Sequence, residues 1–241
     1  FVSFVRDQNL YVVEASGGAE RAITTGGKDT LSYGVAEFIA QEEMDRDTGY
    51  WWSPDETRLA FTRVDESGVD VVPRADIGPN GATIVEQRYP RAGRPNAVVD
   101  LFIQPVAGGA PVQVDLGADK DIYLARVDWS RDGRTLYVQR QSRDQKRLDL
   151  LAVDPSSGKG RVILTETDPH WVELHYGFKP LKSGQFLWLS ERSGHNHLYL
   201  YEASGKLVRQ VTKGAWPVDR IEGLDEARGV VLIGASVDTP I

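Results

Sequence analysis

The sequence predicts an all-β chain, a fragment of a β-propeller of four-stranded antiparallel blades, on three observations. Helical periodicity is almost absent. Short alternating β-branched and aromatic runs, bounded by Gly, Asp, Pro and Ser, recur at intervals of about ten residues. Two hairpin patterns also repeat along the chain, and self-similarity at a fixed period marks stacked or radial architectures.

The first pattern runs from Trp52-Ser53-Pro54-Asp55 to Leu59-Ala60-Phe61-Thr62-Arg63 and again from Trp129-Ser130-Arg131-Asp132 to Leu136-Tyr137-Val138-Gln139-Arg140. Each copy reads as strand, tight turn, strand, with Asp and Gly supplying the local hydrogen bonds and positive φ that a reversal needs. A weaker copy starts at Phe178, turns at Lys182-Ser183-Gly184 and continues through Phe186-Leu187-Trp188-Leu189. The second pattern pairs Leu10-Tyr11-Val12-Val13-Glu14-Ala15-Ser16-Gly17 with Leu198-Tyr199-Leu200-Tyr201-Glu202-Ala203-Ser204-Gly205, and further copies sit at Leu101 to Gln104 and Leu150 to Val153. The spacing corresponds to about 47 residues per unit, the size of a four-stranded propeller blade, whereas a solenoid repeat usually adds one strand per rung.

In order, residues 1–30 are expected to hold the second half of one blade, 31–118, 119–167 and 168–215 three whole blades, and 216–241 the start of another. The 31–118 unit is too long by about 40 residues against this period. Part of its surplus is the Pro-, Gly- and Arg-rich stretch Ser67 to Val98, read as an excursion between hairpins. The rest precedes Trp52, where apolar residues at Val35, Phe38, Ile39 and Met44 fit a period near 3.6 and predict a short helical insertion at about 34–45. Departures from a repeat are where sites are expected.

Composition narrows the chemistry. The 241 residues are 41% apolar and 26% charged, with a net charge of −7 and no basic run longer than a pair, which argues against a nucleic-acid partner. No cysteine is present, so disulfides, cysteine-ligated metals and thiol nucleophiles are excluded. The longest apolar stretch near either end, Val230 to Ile233, is far short of the roughly 20 residues that cross a bilayer. Both ends fall in strand-like sequence, and the chain is expected to be an internal fragment of a longer protein.

Ala36-Glu37-Phe38-Ile39-Ala40-Gln41-Glu42-Glu43-Met44, followed by Tyr50-Trp51-Trp52-Ser53-Pro54-Asp55 and Leu59-Ala60-Phe61, resembles the dipeptidyl peptidase IV family of serine exopeptidases. Tyr89-Pro90-Arg91-Ala92-Gly93 and Thr212-Lys213-Gly214-Ala215-Trp216 extend the resemblance to essentially the whole chain. It implies a portion of an eight-bladed N-terminal propeller, 1–241 being part of that single domain. The parent would release N-terminal dipeptides with Pro or Ala second, the propeller gating access. Glu42 and Glu43 would then bind the substrate α-ammonium, a group whose three donors and full charge suit two fixed carboxylates. The implied partners are a peptide with a free N-terminus, the chain's own C-terminal α/β-hydrolase domain and a second copy in a homodimer. No Gly-x-Ser-x-Gly nucleophile turn occurs in the sequence, so no catalytic residue is expected here, and no cofactor or metal. The family suggests a periplasmic or secreted setting. The alternative is a non-enzymatic module, either a TolB-like propeller or a relative whose hydrolase domain has lost its nucleophile.

Outside this setting an adjacent Glu pair is a solvated helix face. His195-Asn196-His197 offers two imidazoles without a third ligand and reads as an exposed turn. Asp45-Arg46-Asp47-Thr48-Gly49 lacks the further acids of a calcium loop and reads as a polar turn. The tryptophans at 51, 52, 129, 171, 188 and 216 fall at blade-like intervals and are expected to pack between sheets. Thr167-Asp168-Pro169-His170-Trp171-Val172 resembles a family loop bordering the substrate's first side chain, but the sequence departs from the pattern beyond it.

Overall fold

In a computed structural model, which describes residues 1–237, the regular secondary structure is β-strand apart from one short helix among the described residues. It divides into two compact units, Phe1–Arg126 with Pro155–Lys159, and Val127–Asp154 with Gly160–Ile241. No helix among the described residues is long and apolar enough to cross a membrane.

The first unit opens with a three-stranded sheet, β1 (Val2–Arg6), β2 (Asn9–Val13) and β3 (Arg21–Ala22), one strand more than the half blade expected. Asp7 and Gln8, at φ 48° and 63°, form the two-residue turn that joins β1 to β2 with Arg6 opposite Asn9. Paired positive φ angles match the twist of a tight hairpin. Next come β4 (Leu31–Tyr33), α1 (Phe38–Glu43), β5 (Tyr50–Trp52), β6 (Arg58–Asp65), β7 (Val71–Gly78), β8 (Gly81–Arg88), β9 (Val98–Pro105) and β10 (Val112–Gln113). Their main sheet has the order β10-β9-β6-β4, with β5 also paired to β6. Leu10, Val12 and Ile23 of the first sheet pack against Leu59, Phe61 and Val106 of the second. The Ser67 to Val98 excursion proves to be a ribbon: β7 and β8 pair from Val71–Arg88 to Gly78–Gly81 and, among the described residues, with no other strand.

Four strands follow, β11 (Ile122–Trp129), β12 (Leu136–Ser142), β13 (Arg147–Val153) and β14 (Gly160–Thr167), in simple meander order. A second four-stranded meander holds β15 (Lys179–Pro180), β16 (Phe186–Ser190), β17 (His197–Tyr201) and β18 (Leu207–Gln210), and β19 (Val218–Asp225) with β20 (Val230–Ala235) forms a two-stranded sheet. In the second unit Leu148, Leu150, Ile163 and Leu164 pack against Phe178, Phe186, Trp188 and Tyr201. Burying each such side chain contributes about 1.5–3 kcal/mol.

Repeated sequence becomes repeated hydrogen bonding. Ser53 and Ser130 hydroxyls donate to Asp55 and Asp132, and accept from the amides of Arg58 and Thr135. A third copy, unmarked by tryptophan, joins Ser142, Asp144 and the Arg147 amide. In the second pattern Thr24 accepts from the Leu10 amide and Thr212 from the Leu198 amide. The residue before each leucine closes the turn with a different side chain: Asn9 Oδ1 accepts from Thr24 and the Gly27 amide, whereas His197 lies 3.1 Å from both Thr212 Oγ1 and Gly214 O. His197 is 1% exposed at the start of β17, so the expected exposed turn ends at His195.

Two predictions follow from these contacts. A Cβ on Gly49 would meet Val35 O and Thr62 Oγ1 at 2.2 Å, so Gly49→Ala should lower stability by about 2–3 kcal/mol in thermal melts, against the small effect of an exposed glycine without a positive φ such as Gly68. In β13, burial pushes the Asp149 carboxyl up, but hydrogen bonds from Arg147, Thr165 and Arg140 outweigh it and leave it below the usual carboxylate range. A depressed folded pKa means stability that is complete above the unfolded value, about 3.9, and is lost as pH falls through the folded one. Asp149→Asn should therefore be less stable at neutral pH and show a shallower loss on acidification, measured by denaturant melts across pH 2–7.

Candidate functional site

The helical insertion is tied to the sheet by a backbone knot around Thr62 of β6, which is fully buried. The Thr62 hydroxyl donates to Val35 O at 2.7 Å on the outgoing leg, and the Thr62 amide donates to Gly49 O at 2.8 Å on the returning leg. The Gly49 amide reaches Gly34 O at 3.1 Å, and Val35 bridges Thr48. Between these legs only Phe38–Glu43 is helical, shorter than the 34–45 expected. Glu37 is extended at ψ 164°, and Asp45 takes a left-handed φ of 49°, which ends the helix. Ala40 and Met44 turn inward, and Ala40 O accepts from both the Met44 and the Arg46 amides at 3.2 and 3.0 Å.

Arg46 lies in the segment read as a polar turn, yet its side chain is 5% exposed. The reason is its partners: Nη2 donates to Glu37 Oε2 at 2.6 Å, Nη1 to Thr48 O at 3.1 Å and Nε to Leu124 O of β11 at 3.1 Å. Its guanidinium also faces the Trp51 ring at 6.0 Å. A buried charge persists only when paired and hydrogen-bonded, and the fork of Arg satisfies that here.

Glu42 and Glu43 occupy the last turn of α1, both exposed. Among the described residues neither carboxylate has a hydrogen bond or ion pair. They are adjacent carboxylates on a fixed backbone, free to accept from a cation. One turn earlier on the face of Glu42, Phe38 meets Tyr89 edge-on at 5.1 Å. The segment carrying Tyr89 is held by Asp70, which accepts from Arg91 at 2.6 Å and from Arg94 at 2.9 and 3.1 Å; these bonds pull the Asp70 carboxyl well below the usual carboxylate range.

Beside the helix lies a recess of about 450 Å³, bordered by Glu37, Phe38, Gln41, Glu66, Gln87 and Arg88. Neither Glu42 nor Glu43 lines it. Burial pushes the Glu66 carboxyl up, Arg88 opposes this, and Glu37 adds to it. Arg88 fixes the root of the ribbon by donating to Glu66 O at 3.0 Å and Val69 O at 2.7 Å.

The second unit holds a smaller cavity of about 110 Å³, bordered by Glu166, Trp171, Glu173, His175, Arg192 and Asn196. Trp171 is 60% exposed and donates to Glu173 at 3.1 Å, so it does not pack between sheets as expected. Trp188, by contrast, is fully buried and donates to Glu166 at 3.1 Å. Among the described residues no three or more His, Asp or Glu side chains group closely enough to hold a metal.

Sequence reasoning picked out Glu42 and Glu43 but missed Glu37, Arg46, Phe38 and Tyr89 as the groups around them. The available signal was a lone Arg inside Glu42-Glu43-Met44-Asp45-Arg46-Asp47, since a cation amid acids at the root of an insertion is a candidate internal counter-ion.

Comparison with known proteins adds the family. The model of the dipeptidyl peptidase IV (DPP IV) N-terminal region matches residues 1–241. A protein of Aspergillus flavus described as a probable dipeptidyl peptidase 4 is 30% identical over 95% of this chain and 32% of its own length. One of Aspergillus oryzae, described as a probable dipeptidyl-aminopeptidase B, is 29% identical over 99% of this chain and 30% of its own. The crystal structure of Porphyromonas gingivalis dipeptidyl peptidase 4 superposes with a TM-score of 0.87 at 30% identity, over 95% of this chain and 33% of that one. The chain thus spans about a third of the length of the relatives it matches. With its repeated four-stranded antiparallel sheets and its whole length matched, the chain belongs to the dipeptidyl peptidase IV family and corresponds to that family's N-terminal region.

Proposed function

We propose that Glu42 and Glu43 bind the free α-ammonium of a peptide substrate, and that the full-length protein releases N-terminal dipeptides with Pro or Ala in second place. The observation that carries this reading is the adjacent pair of exposed carboxylates, with no cation paired to them among the described residues, at the end of α1 in a chain of this family. Two carboxylates offer several acceptor sites, enough for all three donors of an ammonium, and each such bond is charge-assisted. Holding the peptide by its end sets which peptide bond reaches the nucleophile, so the contact contributes to turnover as well as affinity.

In this reading both units are parts of one N-terminal propeller that gates access to an enclosed site. The Ser, Asp and His of hydrolysis come from a C-terminal α/β-hydrolase domain. A homodimer belongs to the same proposal; the unpaired β7–β8 ribbon, with Ile77 81% and Ile84 70% exposed, supports an interface of some kind on this part of the chain.

The test compares kcat/KM for Gly-Pro p-nitroanilide between the full-length protein and its Glu42→Gln, Glu43→Gln double variant. A loss of about a hundredfold or more is expected, in line with removal of a charge pair, and wild type should refuse the N-acetylated substrate. Equal cleavage of both substrates by both proteins would make the pair a solvated helix face. No cleavage at all by wild type would favour a non-enzymatic interaction module.

A further inference from the structure

We propose that Arg46 is a positioning residue for the carboxylate pair, setting Glu42 and Glu43 at the height where they meet the substrate ammonium; this rests on the reading of the pair given above. The need for such a residue comes from the helix itself. Six residues are too few to hold a helix by hydrogen bonding alone. Its ends add little: the Glu37 side chain makes no capping bond, the first turn has no acid and the last turn no base. Where α1 sits is therefore decided by what lies beneath it.

Arg46 is that support. Its three hydrogen bonds go to three separate segments: Glu37 at the start of the helix, Thr48 on the returning leg and Leu124 in β11. It follows Glu43 by three residues, and its own amide bonds back to Ala40 O. Glu37 before α1 and Thr48 on the returning leg are thus tied to Leu124 of β11 through one guanidinium, while the Arg46 amide holds the end of the helix. A lysine could keep the charge at Glu37 but not a planar fork of donors in three directions. Arg46 also balances Glu37, which is 6% exposed, leaving Glu42 and Glu43 as the helix carboxylates without an internal counter-ion. Charge-assisted bonds are short, so a helix displaced by about 1 Å no longer presents both carboxylates to one nitrogen.

The experiment uses the full-length protein and two anilides of the same shape, Gly-Pro p-nitroanilide and acetyl-Pro p-nitroanilide, which lacks only the amine. The readout is the ratio of their kcat/KM values in wild type, Arg46→Met, Arg46→Lys, Glu37→Gln and the Glu42→Gln, Glu43→Gln double variant. The expected result is a ratio at least tenfold lower in Arg46→Met and in Glu37→Gln, with a smaller fall in Arg46→Lys. KM for the free amine should rise while the rate on acetyl-Pro p-nitroanilide is kept. A purely structural role would cost both substrates the same factor and leave the ratio and KM unchanged, which would overturn the inference. If the ratio collapses in the double variant but not in the Arg46 and Glu37 variants, the clamp stands and the inference falls. If the double variant keeps the wild-type ratio, the clamp reading falls and takes the inference with it. Should Arg46→Met not fold, Glu37→Gln decides, because it removes the ion pair and keeps both carbonyl bonds.

Discussion

A guanidinium sealed beneath a six-residue helix is the constraint on which the site depends. The buried Arg46 guanidinium is satisfied by Glu37 and by the carbonyls of Thr48 and Leu124, which tie three segments around α1 to one side chain. Thr62 makes the complementary knot, holding the two legs of the insertion together on β6. The two devices act on different parts of one excursion: Thr62 fixes where it leaves the sheet, and Arg46 fixes how its tip lies. Glu42 and Glu43 lie between these two anchors, both exposed.

The sheets below this excursion follow a simpler logic. Within each unit, antiparallel sheets bury apolar residues against one another, as Leu10 and Val12 do against Leu59 and Phe61, and Leu148 and Leu150 against Phe178 and Phe186. That demand recurs in every repeat and is met by similar residues at similar spacing. Turn chemistry is conserved in role more than in residue: Asn9 and His197 do the same work in corresponding hairpins with different side chains. The repeat is interrupted at α1 and at the β7–β8 ribbon, and the proposed site lies at the first of these.

Much of the fold was legible because period-2 alternation and Asp/Gly turns are local signals. The Trp52 and Trp129 hairpins, the Leu10 and Leu198 hairpins and the intervening meanders all lie where their patterns place them. The ribbon was visible as surplus length but not as strands, since its apolar residues such as Ile77 and Ile84 join no buried core and Pro73 interrupts the strand pattern. Helix bounds were overextended because the apolar period continues through Val35 and Met44, whereas Glu37 and Asp45 adopt non-helical φ and ψ. Glu42 and Glu43 stood out through their setting beside Trp51-Trp52-Ser53-Pro54. Arg46 and His197 did not, because a charged or polar residue in a turn looks solvated until its long-range partners are known, and Leu124 is far away in sequence. Trp171 failed in the opposite sense: its size suggested burial, but its loop carries it into solvent.

The most direct measurement is a crystal structure of the full-length protein with a bound dipeptide bearing a free amine, read at the ammonium nitrogen. The account predicts that nitrogen at about 2.7–3.0 Å from carboxylate oxygens of both Glu42 and Glu43, with α1 unmoved and the Arg46–Glu37 pair intact. A dipeptide ordered in the site with its ammonium held by other groups, and Glu42 and Glu43 left in solvent, would contradict it.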